Sequence, residues 1–219
     1  MANRHAGIIL ICCFLLPAAG CAEGPLWRAG KYTPWVQNQW EQEEKIADTL
    51  FSRKRRISEM TQSAINAPIE DKQRVAESLD EFTERRHPLL LRLHAVKSMG
   101  QLNCPAAIES LKRLSSDNSA DIRLAAIQAW QNMPADQAIP HLQKMLGSDT
   151  NIDVRLAATR ALSNFSGQQA VAAISLALDD PDPALQVRAT EALQKVTGEQ
   201  LGRDVNAWQN YIASLRSAK

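Results

Sequence analysis

The chain is 219 residues long, room for one ordinary domain or a modest repeat array with appendages. Lysine plus arginine number 25 and aspartate plus glutamate 24, so no global field draws in nucleic acid. Nine glycines and eleven aromatics are too few for a propeller, barrel or sandwich, whereas 32 alanines favour helix. Four cysteines exclude a disulfide-dense scaffold.

Residues 1–20 read as a targeting segment. Arg4 and His5 make a short basic start, and the apolar run Gly7 to Leu16 is too short to span a bilayer comfortably. The run ends Leu16-Pro17-Ala18-Ala19-Gly20-Cys21, which resembles the lipobox of bacterial lipoproteins, with Ala18 where that family usually has leucine. The resemblance implies cleavage before Cys21, a lipid on its sulfur, and export to the bacterial envelope, at the outer membrane or its periplasmic face. By the same resemblance, alanine rather than aspartate at position 22 favours outer- over inner-membrane sorting where both membranes exist. Cys12 and Cys13 would leave with the leader, so Cys104 would be the one remaining free thiol, a small half-buried apolar group.

Residues 21–33 carry Gly24, Pro25 and Gly30 without periodicity and read as a tether. Thr33-Pro34 then looks like an N-cap followed by proline at the first helical position. Residues 34–66 form an expected N-terminal helical segment, with Val36, Trp40, Ala47, Leu50, Ile57 and Ala64 near a 4-3 spacing. Acidic residues come first and the Arg53-Lys54-Arg55-Arg56 run last, an order that suits a helix macrodipole. The pattern allows one helix, or two broken near Ser52 or Ser58.

Beyond this segment the chain repeats itself. Asp121-Ile122-Arg123-Leu124-Ala125-Ala126-Ile127-Gln128-Ala129-Trp130 recurs as Asp153-Val154-Arg155-Leu156-Ala157-Ala158-Thr159-Arg160-Ala161-Leu162. Weaker copies place Leu91-Arg92 and Leu185-Gln186 in the same slots, at steps of 31 or 32 residues. Each copy follows another apolar helix pattern, such as Ile108, Leu111 and Leu114 or Ile139, Leu142 and Met145. Short polar stretches with breakers separate the two. The unit is helix–turn–helix, stacked.

The Asp-x-Arg and Ala-x-x-Ala-Leu patterns resemble the HEAT-like repeat family, including the short form found in phycobilisome lyases. The resemblance implies an all-α solenoid of about four repeats over residues 69–198, with an N-terminal helical extension and a capping helix over 199–219. Ala126, Ala129, Ala158 and Ala161 are expected where neighbouring helices approach closely. Asp121 and Asp153 stand at helix starts, where a carboxylate caps free N–H groups. Arg92, Arg123 and Arg155 are expected to form a structural ladder with these acids or with loop carbonyls. Trp130 fills a slot that is leucine in the sister repeats, as a large core residue or as an aromatic anchor on a partner-binding surface.

Chemistry is harder to find. His87, His94 and His141 are scattered, and no His-Glu dipeptide of the kind used by HEAT-repeat metal hydroxylases occurs, so neither a metal site nor a cofactor is expected. No glycine-rich phosphate loop occurs, and no catalytic residues are assigned. The expected function is non-catalytic: a protein-binding or scaffolding module anchored to an envelope membrane, with a protein partner and no nucleic acid. The alternative is a lyase-like or accessory enzyme subunit holding a small molecule in the solenoid groove. The candidate partner surface is the row of second helices, through His94, Lys97, Gln101, Gln128, Gln131, Thr159, Arg160 and Asn164.

Overall fold

The computed structural model describes residues 49–217. The lipobox, Cys21, the tether and most of the 34–66 segment lie outside the described residues. The chain divides into a unit Met1–Ser52, of which only the last four residues are described, and a unit Arg53–Lys219.

Ten α-helices and no strand occur among the described residues. The first, α1 (Leu50–Ala64), starts at Thr49, whose Oγ1 accepts the Ser52 N–H at 3.1 Å. It runs unbroken through Ser52 and Ser58. Four helix pairs follow. They are α2 (Ile69–Glu81) with α3 (Leu89–Met99), α4 (Pro105–Leu114) with α5 (Ala120–Trp130), α6 (Ala135–Ser148) with α7 (Ile152–Leu162), and α8 (Gln168–Ser175) with α9 (Pro183–Thr197). A 3-10 turn, Leu176–Asp179, extends α8, and α10 (Val205–Ser217) closes the array.

Local chemistry sets these boundaries. Pro105 and Pro183 occupy first-turn positions, where the missing N–H costs nothing. Asn151 caps α7 by accepting the Asp153 and Val154 N–H groups at 2.8 and 3.3 Å. Asp182 caps α9 through the Ala184 N–H at 2.8 Å. Gly198 ends α9 in the left-handed region at φ 80°, which a side chain would oppose. Asp204 accepts the Ala207 N–H at 3.1 Å and opens α10.

The helices form two rows. Second helices stack on one another, α3 on α5, α5 on α7 and α7 on α9. First helices approach at α2/α4 and at α6/α8, whereas α4 and α6 do not close together in the same way. The core runs between the rows, and the four expected alanines lie in it, all at most 1% exposed. Their small side chains let the second helices come close, the geometry of an α-solenoid.

The tightest approach is at Gly100, just after α3. A Cβ built there would fall 2.6 Å from the Ala129 Cα, a backbone atom that cannot swing aside. Its φ of −59° is ordinary, so glycine is required by space alone. Gly100→Ala should therefore lower stability by about 1–3 kcal/mol through overpacking between α3 and α5. Gly147→Ala is the control. It sits within α6 with nothing inside 4 Å, and should stabilise by roughly 0.5–1 kcal/mol through helix propensity. Chemical denaturation of the two variants checks both signs.

Candidate functional site

Three features hold the polar side chains of the repeats in place. The first is an arginine ladder. Arg123 of α5 donates from Nε and Nη2 to both carboxylate oxygens of Asp149, at 2.7 and 2.8 Å. Its Nη1 donates to the Asp117 carbonyl at 2.9 Å. Arg92 of α3 does the same one repeat earlier, from Nη2 to Asp117 Oδ2 at 3.0 Å and from Nε to the Thr83 carbonyl at 2.8 Å. Arg155 of α7 reaches Asp180 Oδ2 at 2.8 Å through Nη1, while its buried Nε has no partner.

Each arginine thus ties its own repeat to the turn of the next. Each acid also accepts the backbone N–H two residues on, Asp117 from Ser119, Asp149 from Asn151 and Asp180 from Asp182, at 2.8 to 2.9 Å. One carboxylate therefore fixes its own turn and receives the preceding repeat. Gln186 stands where the fourth arginine would, and donates to the Asp180 carbonyl at 2.9 Å.

The ladder acids are Asp117, Asp149 and Asp180, rather than the expected Asp121 and Asp153. The reason is geometric. Asp121 and Asp153 sit two residues before the arginine on the same helix, and side chains at i and i+2 do not face each other. Both are exposed in first turns and favour the macrodipole there. Nor do they cap. Asn151 caps α7, and Ser119 makes no side-chain cap on α5.

Electrostatics follow from the pairing. Burial pushes the Asp149 carboxyl up. Hydrogen bonds from Arg123 and the Asn151 N–H, with the charges of Arg123 and Arg155, outweigh it and hold the group below its usual range. The hydrogen bond to Asp149 in turn raises the Arg123 guanidinium.

The second feature is the exposed strip along the second helices. Lys97, Gln101, Gln128, Gln131, Arg160 and Asn164 are exposed. Asn164 Nδ2 donates to Gln131 Oε1 at 2.8 Å, and Lys195 Nζ donates to Asn164 Oδ1 at 2.7 Å, so a polar chain links the turns after α5 and α7 to α9. Thr159 does not belong to the strip. It is fully buried and donates to the Arg155 carbonyl at 2.9 Å. His94 is half-buried, with Nε2 at 2.8 Å from Ser58 Oγ of α1. Burial, then the charge of Lys54, lowers its pKa.

The third feature is a cleft of about 440 Å³ where α4 and α6 stand apart. Trp130 packs behind two of its lining residues, Ser115 and His141. The indole is fully buried, donates from Nε1 to Ser115 Oγ at the end of α4 at 2.8 Å, and stacks on His141 of α6 at 4.5 Å. A leucine, as in the sister repeats, would need less room between the two first helices. Lys112, Lys144, His141, Ser116, Asn118 and Thr150 line the cleft, together with Asp117, Asp149 and Arg123. Burial lowers the His141 pKa, and the nearby Lys112 and Lys144 charges add to it. Nothing local in the sequence marks this cleft except the one tryptophan out of pattern.

Among the described residues no group of three or more His, Cys, Asp or Glu is placed to hold a metal ion. None of the described helices is long and apolar enough to cross a membrane. Cys104, buried, precedes α4.

Comparisons with known proteins agree with the architecture. The human deoxyhypusine hydroxylase structure, solved with glycerol, matches with a TM-score of 0.51 at 23% identity. The match covers 57% of this chain and 44% of that one, so this chain spans under half of the human protein, and at this identity the likeness is one of fold. No curated protein matches. The family model for HEAT repeats matches residues 77–163 and 139–203, together more than half of the chain. With its stacked helix pairs and its repeated arginine–aspartate ties, the chain belongs to the HEAT-repeat family.

Proposed function

We propose that this protein is a non-catalytic binding scaffold that presents its second-helix row to another protein. In this reading it is exported and held at a bacterial envelope membrane by lipid on Cys21. The observation that supports the reading is the exposed polar strip, in which Gln131, Asn164 and Lys195 are tied across repeats by hydrogen bonds. Side chains already fixed by their neighbours lose less entropy when a partner docks, which favours recognition over a solvated face. HEAT repeats are a scaffold on which protein interactions commonly form. The strip's charges are sparse and mildly basic, which suits a protein edge and lacks the density that nucleic acid requires.

The experiment combines both parts of the reading. The wild-type chain, expressed in a bacterium with lipoprotein processing, is expected to label with palmitate and recover its partner from detergent-solubilised envelope. Cys21→Ser should lose the label and keep the partner in a soluble pull-down. Arg160→Glu and Lys97→Glu should each weaken the partner roughly tenfold, about 1.4 kcal/mol, with helicity unchanged. Normal binding by both reversals, with binding abolished by changes in the Arg53–Arg56 run, would move the contact to α1.

A further inference from the structure

We propose that the cleft between α4 and α6 is a carboxylate-binding site, one that seats an acidic side chain of a peptide between Lys112 and Lys144. The site lies against the first helices, apart from the second-helix strip, so it stands or falls separately from the scaffold reading.

Charge is the first argument. Asp117 and Asp149 line the cleft, but Arg92 and Arg123 hold both carboxylates. Lys112 reaches, among the described residues, only the exposed Glu109 on its own helix, at 3.4 Å. Among the described residues Lys144 pairs with no carboxylate. Two ammonium groups therefore border a recess whose own acids are already satisfied. His141 senses both, since its proton affinity is depressed by burial and then by these two lysines. A bound carboxylate would relieve that field.

Shape and donors are the second argument. A volume of about 440 Å³ lies at the lower end of the range for small-ligand sites and admits one or two acidic side chains. Ser116, Asn118 and Thr150 bring hydroxyl and amide donors to the rim, with no intramolecular partner for these side chains among the described residues. The recess does not depend on loops alone. The buried Trp130 fixes two of its lining residues, through its bond to Ser115 and its stack on His141. The net charge of the lining decides between anions. With Asp117 and Asp149 held by Arg92 and Arg123, Lys112 and Lys144 leave a charge of two that matches one or two carboxylates. The C-terminal ends of α4 and α6 at Ser115 and Ser148 disfavour the denser charge of a phosphate dianion.

The groups facing His141 are Lys112 and Glu109 from α4, Lys144 from its own helix and the Trp130 ring from α5, with Asp117, Asp149 and Arg123 in the same cleft. A carboxylate seated there should raise the His141 titration midpoint, so binding should tighten as pH falls through the depressed His141 value.

The test follows the His141 ring by NMR in the full chain at low salt, with acetylated triglutamate amide as the probe. A saturable shift of the His141 signals and an upward move of their midpoint are expected. Lys112→Ala with Lys144→Ala should weaken the probe at least tenfold. The corresponding double arginine variant should retain it, and Arg85→Ala, which removes an exposed charge outside the cleft, should leave it unchanged. Inorganic phosphate should bind more weakly than the peptide. An absent shift, or one that survives loss of both lysines, overturns the site. Tighter binding of phosphate overturns its assignment to a carboxylate.

Discussion

Trp130→Ala is expected to lower the unfolding free energy by about 3–5 kcal/mol, the cost of emptying a large buried aromatic site. The indole is fully buried and touches both first helices of the central repeats, through Ser115 on α4 and His141 on α6. Its removal leaves a cavity, and His141 loses the ring it stacks on. Two further variants separate the contributions. Trp130→Phe keeps a ring and loses the Nε1 bond, so it should cost less than the alanine change, by at least about 1 kcal/mol. Trp130→Leu installs the sister repeats' residue and should recover part of the loss while α4 and α6 draw together over the cleft. Urea denaturation measures all three. A loss below about 1 kcal/mol for the alanine variant would mean that the indole does not hold this part of the array.

Arg123→Ala is the second large effect, at about 2–4 kcal/mol, because it strands Asp149 rather than merely removing a contact. Side-chain exposure is 13% for Arg123 and 7% for Asp149, so water entering from the cleft replaces the lost guanidinium only in part. Arg155 binds its aspartate through one nitrogen and is more exposed, at 22%, so Arg155→Ala should cost less. The effect should depend on pH with a definite sign. Asp149 has a depressed folded pKa, so the stability it contributes is present above the unfolded carboxylate value. It is lost as pH falls through the folded value. The gap between wild type and Arg123→Ala should be full at pH 7 and shrink below about pH 4. An Asp149→Asn variant, unable to ionise, should show a smaller cost of losing Arg123. Thermal melts across pH check each statement, and a gap that widens in acid would contradict the pairing.

The repeat was legible because its signals are local. Ala126, Ala129, Ala158 and Ala161 recur at i,i+3 within single helices, and breakers such as Gly198 sit between patterns, so periodicity alone places helices and core. The arginines of the ladder stand out for the same reason. Their acids do not. Asp117, Asp149 and Asp180 lie 25 or 26 residues beyond Arg92, Arg123 and Arg155, in polar turns that read only as breakers. A signal was there nonetheless. The three aspartates themselves recur at steps of 32 and 31 residues, each two positions before a helix-opening residue. Thr159 misled because a polar side chain on the face of a helix reads as exposed, whereas its hydroxyl is satisfied by the carbonyl four residues back. The cleft was invisible for a different reason. It arises from how far α4 stands from α6, a distance that no local pattern encodes, and only Trp130 in a leucine slot hinted at it.

Site-specific photo-cross-linking tests most directly the claim that the second-helix row is the working surface. A photoreactive residue placed in turn at Lys97, Gln128 and Arg160 samples that row, and one at Glu109 or Gln143 samples exposed positions on the first helices. In intact bacteria the three second-helix positions should yield one common protein adduct, and the two first-helix positions should lack it. The same adduct arising from Glu109 and Gln143, with none from Lys97, Gln128 or Arg160, would contradict the account.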